Sequence, residues 1–350
     1  MAILSIRLPE VKTSCECRPT ACPTCGATTL AGWGRQQRRI RDPQVSEVEV
    51  RRYRCTECQK TFRQHPAGVS RAEQSDRMKV LAALTWGLGL SLRATTGLLG
   101  VFQLVLCHET VRQDGLAVAQ ELRLRRLRRQ GRCPVVGVDG SGSRVAGQSE
   151  GVVVLVDMGT GQPIELAVVD EYDTEAMVSW LAPLVERYRA EVIVTDDLAI
   201  YDEVAKVLDL DHQRCLFHMK RRVGRRLRGF RDSLGEDWQA DIDRVEEIVD
   251  QLPRDGGYRL NDIYNRIKAP PPKEGQEATP LYKFRRMIGM LSDRWHEYLL
   301  YQRRPDVPTT NNNCEYSYNR YKTRTRTMRG VKSSAGRSAI FELVHAAWLA

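Results

Sequence analysis

The sequence predicts a multidomain α/β protein, and three observations carry that prediction. Two Cys-x-x-Cys pairs flank a strand-rich stretch near the start, and a helix-spaced segment follows. From Cys133 onward, strand-type and helix-type periodicities alternate. A chain of 350 residues has room for two or three domains with at least one sizeable core.

Residues 20–66 read as a small β-rich module. "VSEVEVRRYRC" (Val45–Cys55) alternates apolar and charged side chains, as a half-exposed strand does. Cys22 and Cys25, then Cys55 and Cys58, supply four soft thiolates, and the 29 residues between the pairs leave room for a hairpin. Tetrahedral Zn²⁺ is the natural partner of such a set. So small a module buries too little apolar surface to fold unaided, so a structural zinc is expected. Cys15 and Cys17 lie too close together to form a knuckle and stay unassigned. The plain role of the zinc is to hold the module together. The sharper one is to present "GRQQRRIR" (Gly34–Arg41), with Arg38 and Arg39, to nucleic acid.

Residues 71–120 carry helix-spaced apolar positions broken by glycines, with Ser70 as expected N-cap and Glu73 completing a capping box. "SLRATTGLLG" and "CHETVRQDGLAVAQEL" read as two helices around a tight connection. That is the layout of a helix-turn-helix, with Arg112 near the start of the second helix; a plain helical hairpin is the alternative. "LRLRRLRRQGR" (Leu122–Arg132), which includes Arg125 and Arg126, is either a solvated helix face or a phosphate-contacting linker.

Beyond Cys133, "PVVGVDGSGSRV", "EGVVVLVDMGTG" and "QPIELAVVDEYD" are three strands separated by glycine-containing turns. "TEAMVSWLAPLVERYRA" is a helix interrupted at Pro183, "EVIVTDD" a buried strand, "AIYDEVAKVLDL" a helix and "HQRCLFHM" a further strand. After Met219 the chain turns helical and polar for about ninety residues. Within that stretch "KAPPPKEGQEATP" is confined to a loop, since proline supports neither a helix interior nor a central strand. The final "AIFELVHAAWLA" looks helical, and there is no internal repeat.

The net charge of +10 and a pI near 9.2 point to a polyanionic partner, DNA before an acidic membrane. The opening "MAILSIRLPEVKTSCEC" lacks the features of a signal peptide. No run of about 18 apolar residues spans a membrane. A cytoplasmic, nucleoid-associated protein with reduced cysteines is therefore expected.

The acids place the chemistry. Asp139 ends the strand "VVGVDG" and Asp196 ends "VIVTDD". Two carboxylates brought together repel unless a divalent cation neutralises them, and hard oxygen donors suit Mg²⁺ or Mn²⁺. Glu315, which opens a helix behind the asparagine-rich "TTNNN", is the third candidate. Taken singly, a strand-end Asp is more often a turn residue or a cap.

The strand and helix order resembles a ribonuclease-H-like fold, in which the first and fourth strands lie side by side. "VVGVDG", "VIVTDDLAIYDEV", "CLFHMKRRV" and "TTNNNCEYSYNRYK" together resemble the catalytic core of DDE transposases of bacterial insertion sequences, the mutator-like group in particular. The spacings of 57 and 119 residues between the three acids leave room for that group's helical insertion. "CPTCG…VRRYRCTECQKTF" resembles the zinc ribbon that precedes a helix-turn-helix in several such enzymes.

The resemblance implies an ordered set of domains. These are a zinc ribbon (1–70), a helix-turn-helix with basic linker (71–132), the first part of the core (133–219), a helical insertion (220–309) and the core's C-terminal helical part (310–350). It implies Asp139, Asp196 and Glu315 as a triad holding two Mg²⁺ or Mn²⁺ ions, with Asp197 as fallback for Asp196 because many relatives have glycine at that place. Cys215 and His218 match the group's Cys-x-x-His signature and are implied to lie near the metals. A buried cysteine with a capping histidine is the structural alternative.

Basic segments around Lys220, Arg221 and Arg222, and around Lys322, Arg324 and Arg326, would grip phosphodiesters. Tyr316, Tyr318 and Tyr321 either stack on unpaired bases or form a core stripe. The implied activity is two-metal DNA strand cleavage and strand transfer at the element's terminal inverted repeats and at target DNA, by a homodimer or larger assembly. A DNA-binding regulator derived from a transposase, and a nuclease or resolvase on the same fold, are the rival classes.

Overall fold

A computed structural model describes residues 8–129, 131–146, 148–328 and 331–346. The run "MAILSIR", Gln130 of the basic run, Gly147, Arg329–Gly330 and the end of "AIFELVHAAWLA" lie outside them. The chain forms two compact units, Met1–Arg129 with Arg144–Ser149 and Asn319–Ala350, and Gln130–Ser143 with Glu150–Tyr318.

In the first unit, β1 (Leu30–Arg39), β2 (Glu47–Cys55) and β3 (Thr61–Gln64) form an antiparallel sheet in that order. Alternation in β2 turns Val48 and Val50 inward, where they meet Val11, Ile40 and Val69. At the other end Leu30 and Tyr53 pack with Cys22 and Cys55. Helices α1 (Asp76–Gly87), α2 (Leu92–Val101) and α3 (His108–Arg129) follow, and residues 102–107 join α2 to α3. That connection is longer than the three- or four-residue turn of a compact helix-turn-helix.

One local expectation is corrected here and one open alternative decided. The N-cap of α1 is Ser75, which accepts from Met78 N and donates to the buried Asp42 at 2.5 Å. Ser70 instead accepts from Lys79 Nζ at 3.1 Å. The basic run is no separate linker as far as Arg129 but the last turns of α3, whose regular hydrogen bonding nothing in "LRLRRLRR" interrupts.

The second unit is built on a five-stranded sheet of β4 (Val135–Val145), β5 (Gln148–Asp157), β6 (Pro163–Ala167), β7 (Val192–Thr195) and β8 (Asp211–Arg214). Their order across the sheet is β6-β5-β4-β7-β8. β5 and β6 pair antiparallel, whereas β4–β7 and β7–β8 are parallel. Three meandering strands followed by two parallel crossovers is the ribonuclease-H-like sheet. Its core joins Val136, Val138, Leu155 and Ile193 to Met177 and Leu181 of α4 (Thr174–Tyr188) and to Tyr201 and Val204 of α5 (Ile200–Val207). α4 runs unbroken through Pro183. The interruption expected there is absent, because burial of Met177, Leu181 and Tyr188 along one face holds the helix despite one lost backbone bond.

The strand expected over "HQRCLFHM" also ends early. β8 stops at Arg214, and α6 (Leu216–Ser233) starts directly after Cys215. Leu216, Met219, Val223, Leu227 and Phe230 recur at helical spacing and are buried, so the 3.6-residue period prevails over the short apolar run. They pack with α7 (Gln239–Gln251), α8 (Gly256–Arg266), α9 (Pro280–Asp293) and α10 (Trp295–Tyr298) around Ile242, Leu260, Phe284 and Trp295, a second core within the unit. The proline-rich segment between α8 and α9 carries no regular structure. Helix α11 (Asn312–Thr327) follows. In the first unit, α12 (Ser334–Val344) packs on α1 and α3.

Candidate active site

Parallel pairing sets Val135 opposite Val192, Val136 opposite Ile193 and Gly137 opposite Val194. Carried two residues further, that register puts Asp139 level with Asp196, both at the strands' carboxyl ends. The neighbouring Asp197 is otherwise engaged. Its oxygens receive Tyr298 Oη at 2.6 Å, Arg222 Nη2 at 2.6 Å and Arg214 Nη1 at 3.3 Å. The Asp196 carboxylate accepts the local Leu198 N–H at 3.0 Å, while its backbone carbonyl accepts Thr195 Oγ1 at 2.8 Å.

Glu315 reaches the same edge through Asn311. The buried Asn311 donates its side-chain amide to the carbonyl of Val138 at 2.8 Å and its backbone N–H to Cys215 Sγ at 3.4 Å. Its own carbonyl accepts from Cys314 N and Glu315 N in the first turn of α11. Cys215 is the N-cap of α6 and His218 lies in that helix's first turn, so the pair meets across a helix start and not along a strand. His218 Nε2 lies 3.3 Å from Glu315 Oε1. The Cys215 sulfur beside its ring is the first cause that raises the His218 pKa to about 9; burial opposes this, and Glu315 and Asp196 add to it. Burial works to raise the Cys215 pKa, yet His218 and the N–H groups of His218 and Asn311 bring it below the ordinary thiol value.

A fourth carboxylate stands here that the sequence reading missed. Glu171, in the loop between β6 and α4, accepts Tyr201 Oη at 2.6 Å and the backbone N–H of Gly140. The Asp139 pKa is raised to about 7, first by burial and then by the negative charges of Asp196, Glu171 and Glu315. Burial also raises that of Glu171. The glycines on either side of Asp139 follow from this crowding. A Cβ on Gly137 would come 2.8 Å from Asn311 Oδ1 and from Cys314 Sγ, and one on Gly140 would overlap the Glu171 carboxylate.

Only two sets of potential metal donors among the described residues draw all their atoms within 4.8 Å of one another, and the three predicted acids are not one of them. One is Cys22, Cys25, Cys55 and Cys58. Sulfur separations of 3.7 Å (Cys22–Cys58) and 3.6 Å (Cys25–Cys55) match the edge of about 3.8 Å that a tetrahedron with Zn–S near 2.3 Å requires. N–H groups of Thr24 and Cys25 lower the Cys22 pKa to about 6. The Ala27 N–H does the same for Cys25, but burial and the neighbouring sulfurs outweigh it and push Cys25 up to about 12. Four crowded thiols cannot all ionise without a cation, and the set fits zinc. The other set, Asp202, His212 and Glu297, already has its cations. Arg214 pairs with both carboxylates, and Arg294 reaches Asp202 at 2.6 Å.

Residues 167–339 match the model of the Transposase IS66 family, a stretch that holds Asp196, Cys215, His218 and Glu315 but not Asp139 or the four zinc-type cysteines. That stretch is of the insertion-sequence transposase type. The match does not specify the mutator-like group. No curated protein matches the sequence. Among solved structures, the catalytic core domain of BIV integrase is 15% identical with a TM-score of 0.21, over 43% of this chain and 95% of that one. The Drosophila P element transposase strand transfer complex is 10% identical with a TM-score of 0.43, over 79% of this chain and 92% of that one.

The basic residues of this transposase are placed unevenly. Arg38 is spent inside its module, donating to the carbonyls of Ser70 at 2.6 Å and Arg71 at 2.8 Å. Arg126 pairs with Glu342 at 2.5 Å, both largely buried, and Arg222 holds Asp197. Arg112 pairs with Glu109 at 2.7 Å and Arg125 with Glu121, each on the exposed surface of α3. Lys220 donates to the carbonyl of Asp250 at 3.0 Å. Arg39, with a loose pair to Glu47 at 3.5 Å, stays 92% exposed and free to meet phosphate. Arg221 and Arg326 are exposed, and Lys322 and Arg324 half-buried. Of the three tyrosines of "YSYNRY", Tyr318 and Tyr321 are buried and only Tyr316 is exposed, so a stacking role for the other two is corrected to a core role. No helix among the described residues is long and apolar enough to cross a membrane.

Proposed function

We propose that this transposase binds the ends of its insertion sequence and catalyses metal-dependent DNA strand cleavage and strand transfer, with Asp139, Asp196 and Glu315 as its carboxylate triad. The observation that carries this is the β4–β7 register, which levels Asp139 with Asp196 while Asn311 ties the start of Glu315's helix to Val138.

The donor set fits divalent ions. It is all hard oxygen, and burial together with the neighbouring carboxylates, which raise Asp139, disfavours its anion in a way that a cation would relieve. When bound, such ions activate a water for attack on the phosphodiester and stabilise the departing 3′-oxygen.

The chain's own residues set the stage for that chemistry. Asp139 and Asp196 present carboxylates from rigid strand ends. His218, whose pKa is raised to about 9, lies 3.3 Å from Glu315 and sets a positive charge beside that carboxylate. Asp197, engaged by Arg214 and Arg222, is left out of the proposed triad and instead fixes Arg222. The zinc module and the α1–α3 region would read the DNA ends, with Arg39 and Arg221 among the phosphate contacts. Joining two ends calls for at least two copies of the chain.

The test is nicking of a plasmid that carries the gene's own flanks, in Mn²⁺. Wild type and Asp197→Asn are expected to nick at the flank boundaries, while Asp139→Ala and Glu315→Gln bind the ends but leave them intact. Cleavage by Glu315→Gln at the wild-type rate would remove the triad, and tight binding by every protein without cleavage would favour the regulator.

A further inference from the structure

The helical part of the second unit contains a cleft of about 770 Å³ that the triad does not use. It lies between α8, the end of α9 and α10, and its size falls within the roughly 300–1,000 Å³ of small-ligand sites. Its floor is firmly built. Trp295, 3% exposed, donates Nε1 to the carbonyl of Pro253 at 2.9 Å, and Gly256 leaves the space its indole fills. Ser292 Oγ donates to the carbonyl of Gly257 at 2.8 Å, which locks α9 to α8.

The rim has a different character. Tyr258 is 80% exposed, a large aromatic face left in water at the mouth of the cleft. Arg254 and Arg303 also line the cleft, as does one carboxylate, Asp293; among the described residues neither arginine has a carboxylate within 4.0 Å, so two guanidinium charges outweigh the one acid, whereas Arg259, Arg266, Arg294 and Arg304 nearby are all paired. Asn261 and His296 add groups that can donate to and accept from a base edge. An exposed aromatic face flanked by unpaired guanidinium groups is the chemistry that holds single-stranded nucleic acid, where stacking takes the base and arginine the backbone.

We propose that this cleft receives one unpaired nucleotide of a DNA strand, its base stacked on Tyr258 and its phosphates met by Arg254 and Arg303. The inference rests on the transposase reading for the identity of the polymer, and it adds a site apart from the carboxylates.

The test measures fluorescence anisotropy of the zinc-loaded full chain on two labelled duplexes. One has a single-nucleotide bulge and the other an abasic residue at the same place. Wild type is expected to bind the base-bearing bulge about tenfold more tightly, in line with the stacking gain usual for one base. Tyr258→Ala should erase the difference and Tyr258→Phe should keep it. Arg254→Ala with Arg303→Ala should weaken both duplexes alike and flatten the salt dependence. Asp139→Ala should discriminate as wild type does. Equal binding of the two duplexes by wild type, or undiminished preference in Tyr258→Ala, overturns the cleft. If plasmid nicking persists alongside that result, only this inference falls. Failure to bind or nick any DNA overturns both.

Discussion

The side-chain amide of Asn311 donates to the carbonyl of Val138 at 2.8 Å, and this one bond joins the residue before Asp139 to the residue that starts Glu315's helix. Because Asn311 N–H also meets Cys215 Sγ, three chain segments that carry candidate site residues converge on a single buried residue. Asn311→Ala strands a buried carbonyl and is expected to cost about 1–3 kcal/mol. It should slow cleavage at least tenfold, since the Glu315 helix loses its tie, while end binding is unchanged. Urea denaturation and plasmid nicking read the two effects. Wild-type stability in this variant would show that the bond does not hold the site together.

Much of this arrangement was open to sequence reading. Buried parallel strands are apolar runs, so acids directly after "VVGV" and "VIVT" stand out, and the sheet order then pairs them. Glu171 did not stand out, because it is one of three acids in the loop "DEYD" and only the fold brings it to Gly140. The Asp196 and Asp197 alternative also needed the fold. Arg214, Arg222 and Tyr298, which hold Asp197, are distant in sequence. Ser70 and Ser75 each looked able to cap α1, and Asp42, from the turn before β2, decides for Ser75.

Gly140 is required by Glu171. A methyl group there overlaps a carboxylate that Tyr201 Oη holds at 2.6 Å, so either the strand end or the carboxylate must move. Gly140→Ala is expected to lose about 1–3 kcal/mol of stability and most cleavage. The double variant Gly140→Ala with Glu171→Ala should regain part of that stability, because the clash partner is gone. A purely additive double-mutant cycle would assign the loss to another cause.

His212 gives the fold a pH dependence. Its Nε2 lies 2.8 Å from Thr195 Oγ1, and burial lowers its pKa to about 4. Glu297, at 3.6 Å from Nδ1, and Asp197 would raise it, but Arg294 and His296 act against them, so burial prevails. The folded-state pKa lies below the unfolded value near 6.5. The stability that neutral His212 contributes is therefore present above pH 6.5 and lost as pH falls toward 4. Between pH 7 and 4.5, wild type should lose about 2–3 kcal/mol more than His212→Gln in denaturant melts. Parallel curves for the two proteins would mean that His212 is not the titrating group.

Zinc removal should act on one part of the protein. The apolar cluster beside the four cysteines has only Leu30 and Tyr53 besides Cys22 and Cys55 as its buried members, and the other end of the hairpin adds only the small cluster of Val11, Ile40, Val48, Val50 and Val69, too little to keep the module folded without the metal. The strands of the second unit rest on their own core of Val136, Val138, Leu155 and Ile193. Chelation, or Cys55→Ser, is expected to release a single zinc ion per chain and to strip hydrogen-exchange protection from residues 20–66, while β4 and β7 stay protected. End binding should fall with the loss of the module. Loss of protection in β4 and β7 at the same chelator concentration would show that the zinc module and the catalytic sheet fold as one unit.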